Sequence, residues 1–560
     1  MNRIIITERD ETTNELTSIS SDIVYVPGFA VGGSREVRNP KLCTSISEFE
    51  NAFGANAPTF FVDQVYPLKP NSGNGAGFTS LAIPDVSGED RIWYNAGTKD
   101  PSYVYAKELL RAGLSVVYER INMFVDKPAI GTNTNFKGLY YSTSTYGVGD
   151  FVVHENKYYK CITAIETAQA WTAENWTEVD ANGNVLAFST ESTYEVGDYV
   201  TNNGSYYVCK VAVTTAGQWN SENWEEVSDI PGRFDVTVDR MYDAMMGNNL
   251  NPDEHAIYDE NVPGALSEVS TYNVKYITSG GYPTFEYEET TGTSTSPTTL
   301  AQKMATLAAS RGDAIAFIDH TDNAARPLTG SNSVYNAVSN TSFADTTASF
   351  ATMITPWGVY NTTESTNIPM PGSFGYFLAL ARALRTYPTW LAIAGVVRGV
   401  IPSIKNLNLT HTLTNAIADY YQSGPGTTST NPSINAITYI NDQGYTVWGN
   451  RTLSTAADSF ATHFLNMRSL ICDVKKRAFK AAQQYMFEQN TDILWVNFKN
   501  DLQGLLDQMV SSSSIKYYKI IKVATSDKTK IAAKIQIVPI YAVETFEITI
   551  IMTDEEITVE

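Results

Sequence analysis

The sequence predicts an α+β multidomain protein with three parts: a discontinuous α/β body, a small all-β tandem insertion and a C-terminal α+β domain. Three observations predict it. Helix-then-strand units recur on both sides of residues 137–228. Within that span two segments align without a gap at an offset of 48. After residue 460, two apolar stripes of helical period give way to three runs that alternate with a period of two.

The 560 residues suffice for several domains at roughly 100–200 residues each, and a 43% hydrophobic content allows sizeable cores. Charge is sparse at 18%, while Tyr, Thr, Asn and Ser abound, a mix that suits β-rich surfaces and interfaces rather than disorder. A net charge of −21 argues against nucleic acid as a partner and fits a self-repelling soluble subunit. Cys43, Cys161, Cys209 and Cys472 are scattered without metal-ligand spacing and read as small buried hydrophobes in a reducing compartment. The opening MNRIIITERDE carries charge where a secretory signal needs an apolar core. The most apolar stretch, WLAIAGVV, is cut by Arg398, short of the ~20 residues of a membrane helix, so no membrane insertion is expected and assembly is placed in a cytoplasm.

In chain order, residues 1–22 read as an extended arm with a strand-like NRIIITE, and residues 23–136 as the first part of the body. IVYVPGFAVGG is a strand broken by Pro27-Gly28. TSISEFENAFG is a short helix capped by Ser45 or Ser47, with Phe49 and Phe53 on one side and Gly54 as its stop. SYVYAKELLRAGLSVVYERI is a helix, a Gly113 stop and a buried strand. The repeats follow at 137–180 and 187–228: STYGVGDFV answers STYEVGDYV, YYKC answers YYVC, and WTAENWTEV answers WNSENWEEV. Units this short rely on aromatic mass for a core, here Tyr146, Tyr159, Trp171 and Trp176 with the copies Tyr194, Tyr207, Trp219 and Trp224. The body resumes over 231–402, with 278–298 as a surface loop, LAQKMATLAASRGDAIAFIDH as a helix, turn and buried strand, and a helix capped by Ser373 that runs to about Arg385.

Residues 403–542 read as the C-terminal domain. Phe460, Phe464, Met467, Ile471, Val474, Ala478, Ala481 and Tyr485 form one helical stripe, opposed by Asp473, Lys476, Arg477, Lys480 and Gln484. A cap at Asn490-Thr491 opens a second stripe of Trp495, Phe498, Leu502, Leu505 and Met509. Strand-like runs follow near 515–523, 531–538 and 543–553. The last, FEITIIM, puts Phe546, Ile548, Ile550 and Met552 on one face, and so apolar a strand needs a partner.

With these residues in view, the chain resembles the contractile tail sheath proteins of bacteriophages and related injection machines. TSISEFENAFG and YVYAKELLRAGLSVVYERI are similar to that family's N-terminal body, and ASRGDAIAFID, TPWGVY and PGSFGYFLALARALRTYPTWLAIAGVVRGVI to its central segment. INAITYINDQGYTVWGNRTL resembles its Trp-Gly-x-Arg-Thr element, and the 460–485 helix, FEQNTDILW and AAKIQIVPIYAVETFEITIIM its C-terminal domain. Each string alone is weak; their order and spacing carry the resemblance, and 137–228 lies outside it as an insertion.

The resemblance implies a homo-oligomer of stacked hexameric rings in a helical sheath. It implies a tail tube protein, baseplate proteins and tail terminator proteins as partners, a place in the tail of a virion or a phage-derived injector, and no cofactor. It also implies strand exchange between subunits through the arms at 1–22 and 543–560, which puts Ile4, Ile5 and Ile6, and Phe546, Ile548, Ile550 and Met552, in inter-subunit sheets. Contraction then needs no nucleotide, since the work comes from new inter-subunit contacts.

The sequence offers three candidate sites. A catalytic centre finds no support: the five histidines show no metal spacing, and Asp319-His320 lacks a GxSxG elbow and reads as a structural turn. The cluster Lys475, Lys476, Arg477 and Lys480 is either a solvated helix face or a contact with the tube, the two carrying equal weight. The repeats resemble small chitin-binding-type carbohydrate modules, which makes Trp171, Trp176, Trp219 and Trp224 candidates for stacking on a surface glycan and an adhesin the alternative function. Those modules often carry further aromatics where this chain has KCITAIETA and CKVAVTTAG, so surface decoration is the preferred reading.

Overall fold

The computed structural model describes, in its main runs, residues 22–30, 40–55, 98–121, 136–178 and 188–227 with short breaks, 238–247, 272–284, 298–320, 343–407, 432–455 and 460–543. Shorter pieces around residues 57–60, 64–66, 78–80, 91–94, 124–125, 233–234, 256–258, 266 and 287–289 complete it.

An eight-stranded sheet organises the body. Its strands are β1 (Ile23–Gly28), β2 (Lys41–Cys43), β3 (Ser115–Arg120), β4 (Val274–Ile277), β5 (Ile315–Ile318), β6 (Ala351–Thr355), β7 (Asn435–Ile440) and β8 (Gly444–Trp448). Their order is β2-β3-β1-β4-β5-β6-β7-β8, parallel except for the short edge strand β2 and the final hairpin strand β8. The central strands β1, β4, β5 and β6 are buried along their whole length, as strands covered on both faces must be. Two apolar layers sit on the two faces: one contains Tyr25, Met304, Leu307 and Ile318, the other Val24, Leu109, Phe317 and Phe377.

The covering helices end where local chemistry stops them. Helix α1 (Ile46–Phe53) is capped by Ser45, whose hydroxyl accepts from Glu48 N at 3.2 Å, and it buries Phe49 and Phe53. Helix α2 (Pro101–Ala112) is capped by Asp100 and halts at Gly113 in the left-handed region, φ 101°. Helix α3 (Val238–Met246) follows the insertion, and α4 (Leu300–Arg311) starts with a Thr299–Gln302 capping box. Helix α5 (Gly372–Ala383) has no side-chain cap: Ser373 lies inside it, and its hydroxyl donates to Asp319 Oδ2 at 2.8 Å.

Two expectations about the body are corrected. The glycine- and tyrosine-rich stretch from residue 278 begins as core, not as a surface loop, since Thr278, Ser279, Tyr282 and Thr284 are fully buried and their hydroxyls are consumed by backbone carbonyls and Asp100. The hairpin β7–β8, assigned from sequence to the C-terminal domain, completes the body sheet: β7 runs parallel to β6, and Asn435 Nδ2 donates to Met353 O and Arg451 O.

The insertion folds as two small sheets with matching cores. Tyr146, Val152, Cys161, Ile165 and Trp176 form one, and Val200, Cys209 and Trp224 with Tyr194 and Val213 the other, each position displaced by the same 48 residues. At its base Phe124–Val125 pairs antiparallel with Arg233–Phe234.

The chain closes with helix α6 (Leu465–Gln484), helix α7 (Asp492–Ser511) and the hairpin strands β9 (Ile515–Val523) and β10 (Ala532–Pro539).

Candidate assembly surfaces and buried polar sites

In open α/β sheets ligands bind beyond the carboxyl ends of the strands, where the strand order switches direction. Here the switch lies between β1 and β4, and the crevice is filled by the protein's own groups. The Asp100 carboxylate occupies the amino end of α2, accepting from Ser102 N, Tyr103 N and Phe29 N, and from the Tyr282 hydroxyl at 2.6 Å. The Tyr118 hydroxyl donates to Phe29 O, and a Cβ on Gly28 would collide with the Tyr118 and Ser102 hydroxyls. Burial pushes the Asp100 carboxyl up against these hydrogen bonds. Sequence reasoning passed over Asp100, although Asp before Pro-Ser at a helix start is a capping signal.

Asp319, His320 and Ser373 lie near one another, but not in the order of a Ser-His-Asp triad. Asp319 touches Ser373 directly, while His320 Nε2 bonds Thr355 Oγ1 at 2.6 Å, so the imidazole does not stand between carboxylate and hydroxyl. All three are about 1% exposed. Trp357 Nε1 donates to His320 O at 2.7 Å and Tyr105 Oη lies 3.0 Å from Ser373 Oγ, which ties the ends of β5 and β6 to α2 and α5. Burial raises the Asp319 carboxyl to about 7. Among the described residues, no group of His, Cys, Asp and Glu is arranged to hold a metal, and no helix is long and apolar enough to cross a membrane.

A second buried node joins the root of the N-terminal arm to the C-terminal helices. Lys275 Nζ, fully buried on β4, reaches Asp473 of α6 at 2.8 Å, Asp22 at 3.2 Å and Thr389 Oγ1 at 3.2 Å. Burial alone lowers the Lys275 ammonium, but Asp22 and Asp473 together outweigh it and raise it. With one cation facing two carboxylates, burial pushes Asp22 upward even against Lys275.

The basic cluster on α6 divides. Lys475, Arg477 and Lys480 are exposed, but Lys476 is turned inward, its side chain 7% exposed and its Nζ donating to Asp313 Oδ2 at 2.6 Å and Val274 O at 2.8 Å. Burial lowers its ammonium despite Asp313. Asp473, expected on the solvated face, is buried as well, while Ile471 of the expected stripe is half-buried. The first half of α6 is sandwiched: Asp473 and Lys476 face the body, and Leu470 and Val474 pack under the hairpin. A stripe on one face describes only a helix with one covered side.

In the insertion, Trp176 and Trp224 are 5% and 3% exposed and belong to the two cores. Trp171 and Trp219 are half-buried, stacked on them at ring distances of 5.2 and 5.1 Å, and Trp171 also stacks on His154 at 3.9 Å. The four indoles therefore form two internal stacks.

Helix α7 starts where the sequence indicates, with the Thr491 hydroxyl accepting from Leu494 N at 3.2 Å. It buries Leu502, Leu506 and Met509, so Leu506 stands where Leu505 was expected. Strands β9 and β10 pair in register from Tyr517–Val538 to Val523–Ala532. The face bearing Tyr518, Ile520, Ile535 and Ile537 packs on α6 and α7; the other bears exposed Tyr517, Lys519, Val523, Lys534, Gln536 and Val538. Among the described residues these strands pair only with each other. Ile4, Ile5, Ile6, Phe546, Ile548, Ile550 and Met552 lie outside the described residues.

No protein-family model and no curated protein matches the chain. Among solved structures it is similar to the sheath tail protein from Desulfitobacterium hafniense, at 10% identity over 96% of this chain and all of that one, with a TM-score of 0.40. It is also similar to a chain of the anti-feeding prophage baseplate, at 14% identity over 44% of this chain and 66% of that one, TM-score 0.33. A third similarity is to the contracted sheath complex of the PVC extracellular contractile injection system, at 19% identity over 43% of this chain and 64% of that one, TM-score 0.33. The chain thus spans just under two thirds of the length of those two injection-system chains.

Proposed function

We propose that this protein is the subunit of a contractile tail sheath, which polymerises around a tail tube and contracts to drive it through a target envelope. The observation that carries the reading is the terminal hairpin β9–β10. Two long strands pair only with each other among the described residues, rest on α6 and α7 by one apolar face, and are followed by the alternating apolar run FEITIIM. A two-stranded sheet is marginal alone and gains most from added strands. The terminal runs with Ile4, Ile5 and Ile6, and with Phe546, Ile548, Ile550 and Met552, supply such strands from neighbouring copies. The discontinuous body is the rigid unit that moves, with the C-terminal helices and hairpin facing the tube. Lys475, Arg477 and Lys480 are the exposed cations of α6 for an acidic tube surface. Baseplate and terminator proteins cap the two ends of the polymer. The crevice where an α/β enzyme holds its ligand is occupied by Asp100, Tyr118 and Tyr282, which supports a structural rather than a catalytic role.

The test is assembly. The purified chain forms rings or tubes by negative-stain microscopy, and removal of residues 543–560 leaves a folded monomer. Tubes from the truncated chain would overturn the strand-exchange assignment.

A further inference from the structure

The hairpin is also the most basic part of an acidic protein. Between residues 515 and 539 stand six lysines, Lys516, Lys519, Lys522, Lys528, Lys530 and Lys534, against one acid, Asp527, in a chain of net charge −21. All six are exposed. Lys522 pairs with Asp492 at 2.9 Å; the other five make no ion pair among the described residues. Lys519 and Lys534 stand on the outward face, diagonal to each other across the register Lys519–Gln536 and Ile521–Lys534. Residues 544–560 have the opposite composition: Glu544, Glu547, Asp554, Glu555, Glu556 and Glu560, with no Lys, Arg or His.

We infer that the lysine-rich hairpin is an electrostatic latch for the acidic segment 544–560 of a second copy of this chain, an inference that rests on the strand-exchange reading above. The patterns of the two pieces agree. In a strand laid along the hairpin, Phe546, Ile548, Ile550 and Met552 extend the apolar face of Ile520 and Ile535 over the helices. Glu547 then falls on the outward face with Lys519 and Lys534. Asp554, Glu555 and Glu556 follow the apolar run and meet the lysines at one end of the hairpin.

The donor is a second copy because the chain runs straight on past β10, extending its ladder by one rung before meeting α6, rather than turning back along the hairpin. Ile540 N donates to Ser514 O at 3.0 Å, and the Tyr541 ring packs on Phe464 at the start of α6, 5.2 Å away. Tyr541-Ala542-Val543 also lacks the Gly or Asn that a tight return beside β10 needs. The charges make docking dependent on ionic strength and select this segment over other apolar strands, as complementary patches do.

The test uses the full chain and charge reversal. K519E/K528E/K530E/K534E on the hairpin, and separately E547K/D554K/E555K/E556K on the tail, each raise the concentration needed for tube formation by about tenfold at low salt. Combining the two sets in one chain restores assembly, and wild-type assembly weakens from about 0.05 M to about 0.5 M NaCl. Singly reversed chains that assemble like wild type, or a combined chain no better than either, would overturn the latch. If those chains assemble normally while the chain lacking 543–560 does not, strand exchange stands and the latch alone fails. A chain that never assembles under any condition defeats the sheath reading itself. Source is read by oxidising assembled K534C/E547C: the four native cysteines are buried, so disulfide-linked multimers on a denaturing gel are expected, and a link within one chain would overturn donation by a second copy.

Discussion

Asp319 sits at the carboxyl end of β5 with Oδ2 held by Ser373 and Oδ1 without a hydrogen-bond partner among the described residues. Its carboxyl is raised from 3.8 to about 7, so the folded state holds the proton more tightly than the unfolded chain does. The stability this adds is complete below the unfolded value and is lost as pH rises through about 7. Asp319→Asn keeps a polar partner for Ser373 and cannot ionise, so its melting temperature should gain on wild type between about pH 5 and about pH 8. A difference that stays constant over that range would place the titration elsewhere. Lys275 gives the opposite case of a buried charge fully engaged. Lys275→Met leaves Asp22 and Asp473 facing each other without a cation and should cost about 3–5 kcal/mol in denaturant unfolding. In the sequence Asp319 stands out only beside His320, as a structural turn, and Lys275 not at all. A buried Lys and a solvated Lys are the same letter, and only the packing of β4 against α6 separates Lys275 from Lys480. The same ambiguity hid Lys476, which shares a helical face with Lys480 yet meets Asp313.

At the scale of elements, the sequence is most informative where local chemistry decides. The stops at Gly54 and Gly113 stand where expected, because a positive φ is a local requirement that glycine meets at least cost. The caps at Ser45 and Thr491 follow from one side chain and the next turn, and Thr491→Ala should destabilise α7 by about 1 kcal/mol, seen as a lower thermal midpoint. An unchanged midpoint would mean that α7 is held by packing on the hairpin alone. Where distant residues decide, the pattern misleads. Ser373 reads as a cap but is claimed by Asp319, 54 positions away. The glycines and hydroxyls after residue 277 read as a loop, but Thr278, Tyr282 and Thr284 each find a buried acceptor in another element. The segment of β7–β8 reads in sequence only as part of the C-terminal domain, and only the pairing of Ile354 and Thr355 with Asn435 and Ala436 places it in the body sheet.

At the scale of the whole molecule, the insertion is built around two cores of its own. Its duplication was plain in the sequence, because repetition needs no tertiary information, and the structure shows the repeat position by position. Tyr146 bridges Ile165 as Tyr194 bridges Val213, and the Cys161 thiol donates to Thr163 O as that of Cys209 does to Val211 O, each at 3.1 Å. Each unit packs around its own tryptophan pair. What the sequence hid is how the insertion is tethered: Val125 pairs with Arg233 and Phe124 with Phe234, so the chain leaves the body and returns to it side by side. A closed neck of this kind has the geometry of a hairpin, whose ends a loop of about 2–5 residues can join. Replacing 126–232 by a short Gly-Ser turn should therefore leave the body's thermal midpoint nearly unchanged, since no strand of the eight-stranded sheet comes from that span. The shortened chain should still form tubes, because the hairpin β9–β10 and residues 544–560 are intact. A stable shortened chain that no longer polymerises would assign the repeats to the contacts between subunits rather than to decoration of the outer surface.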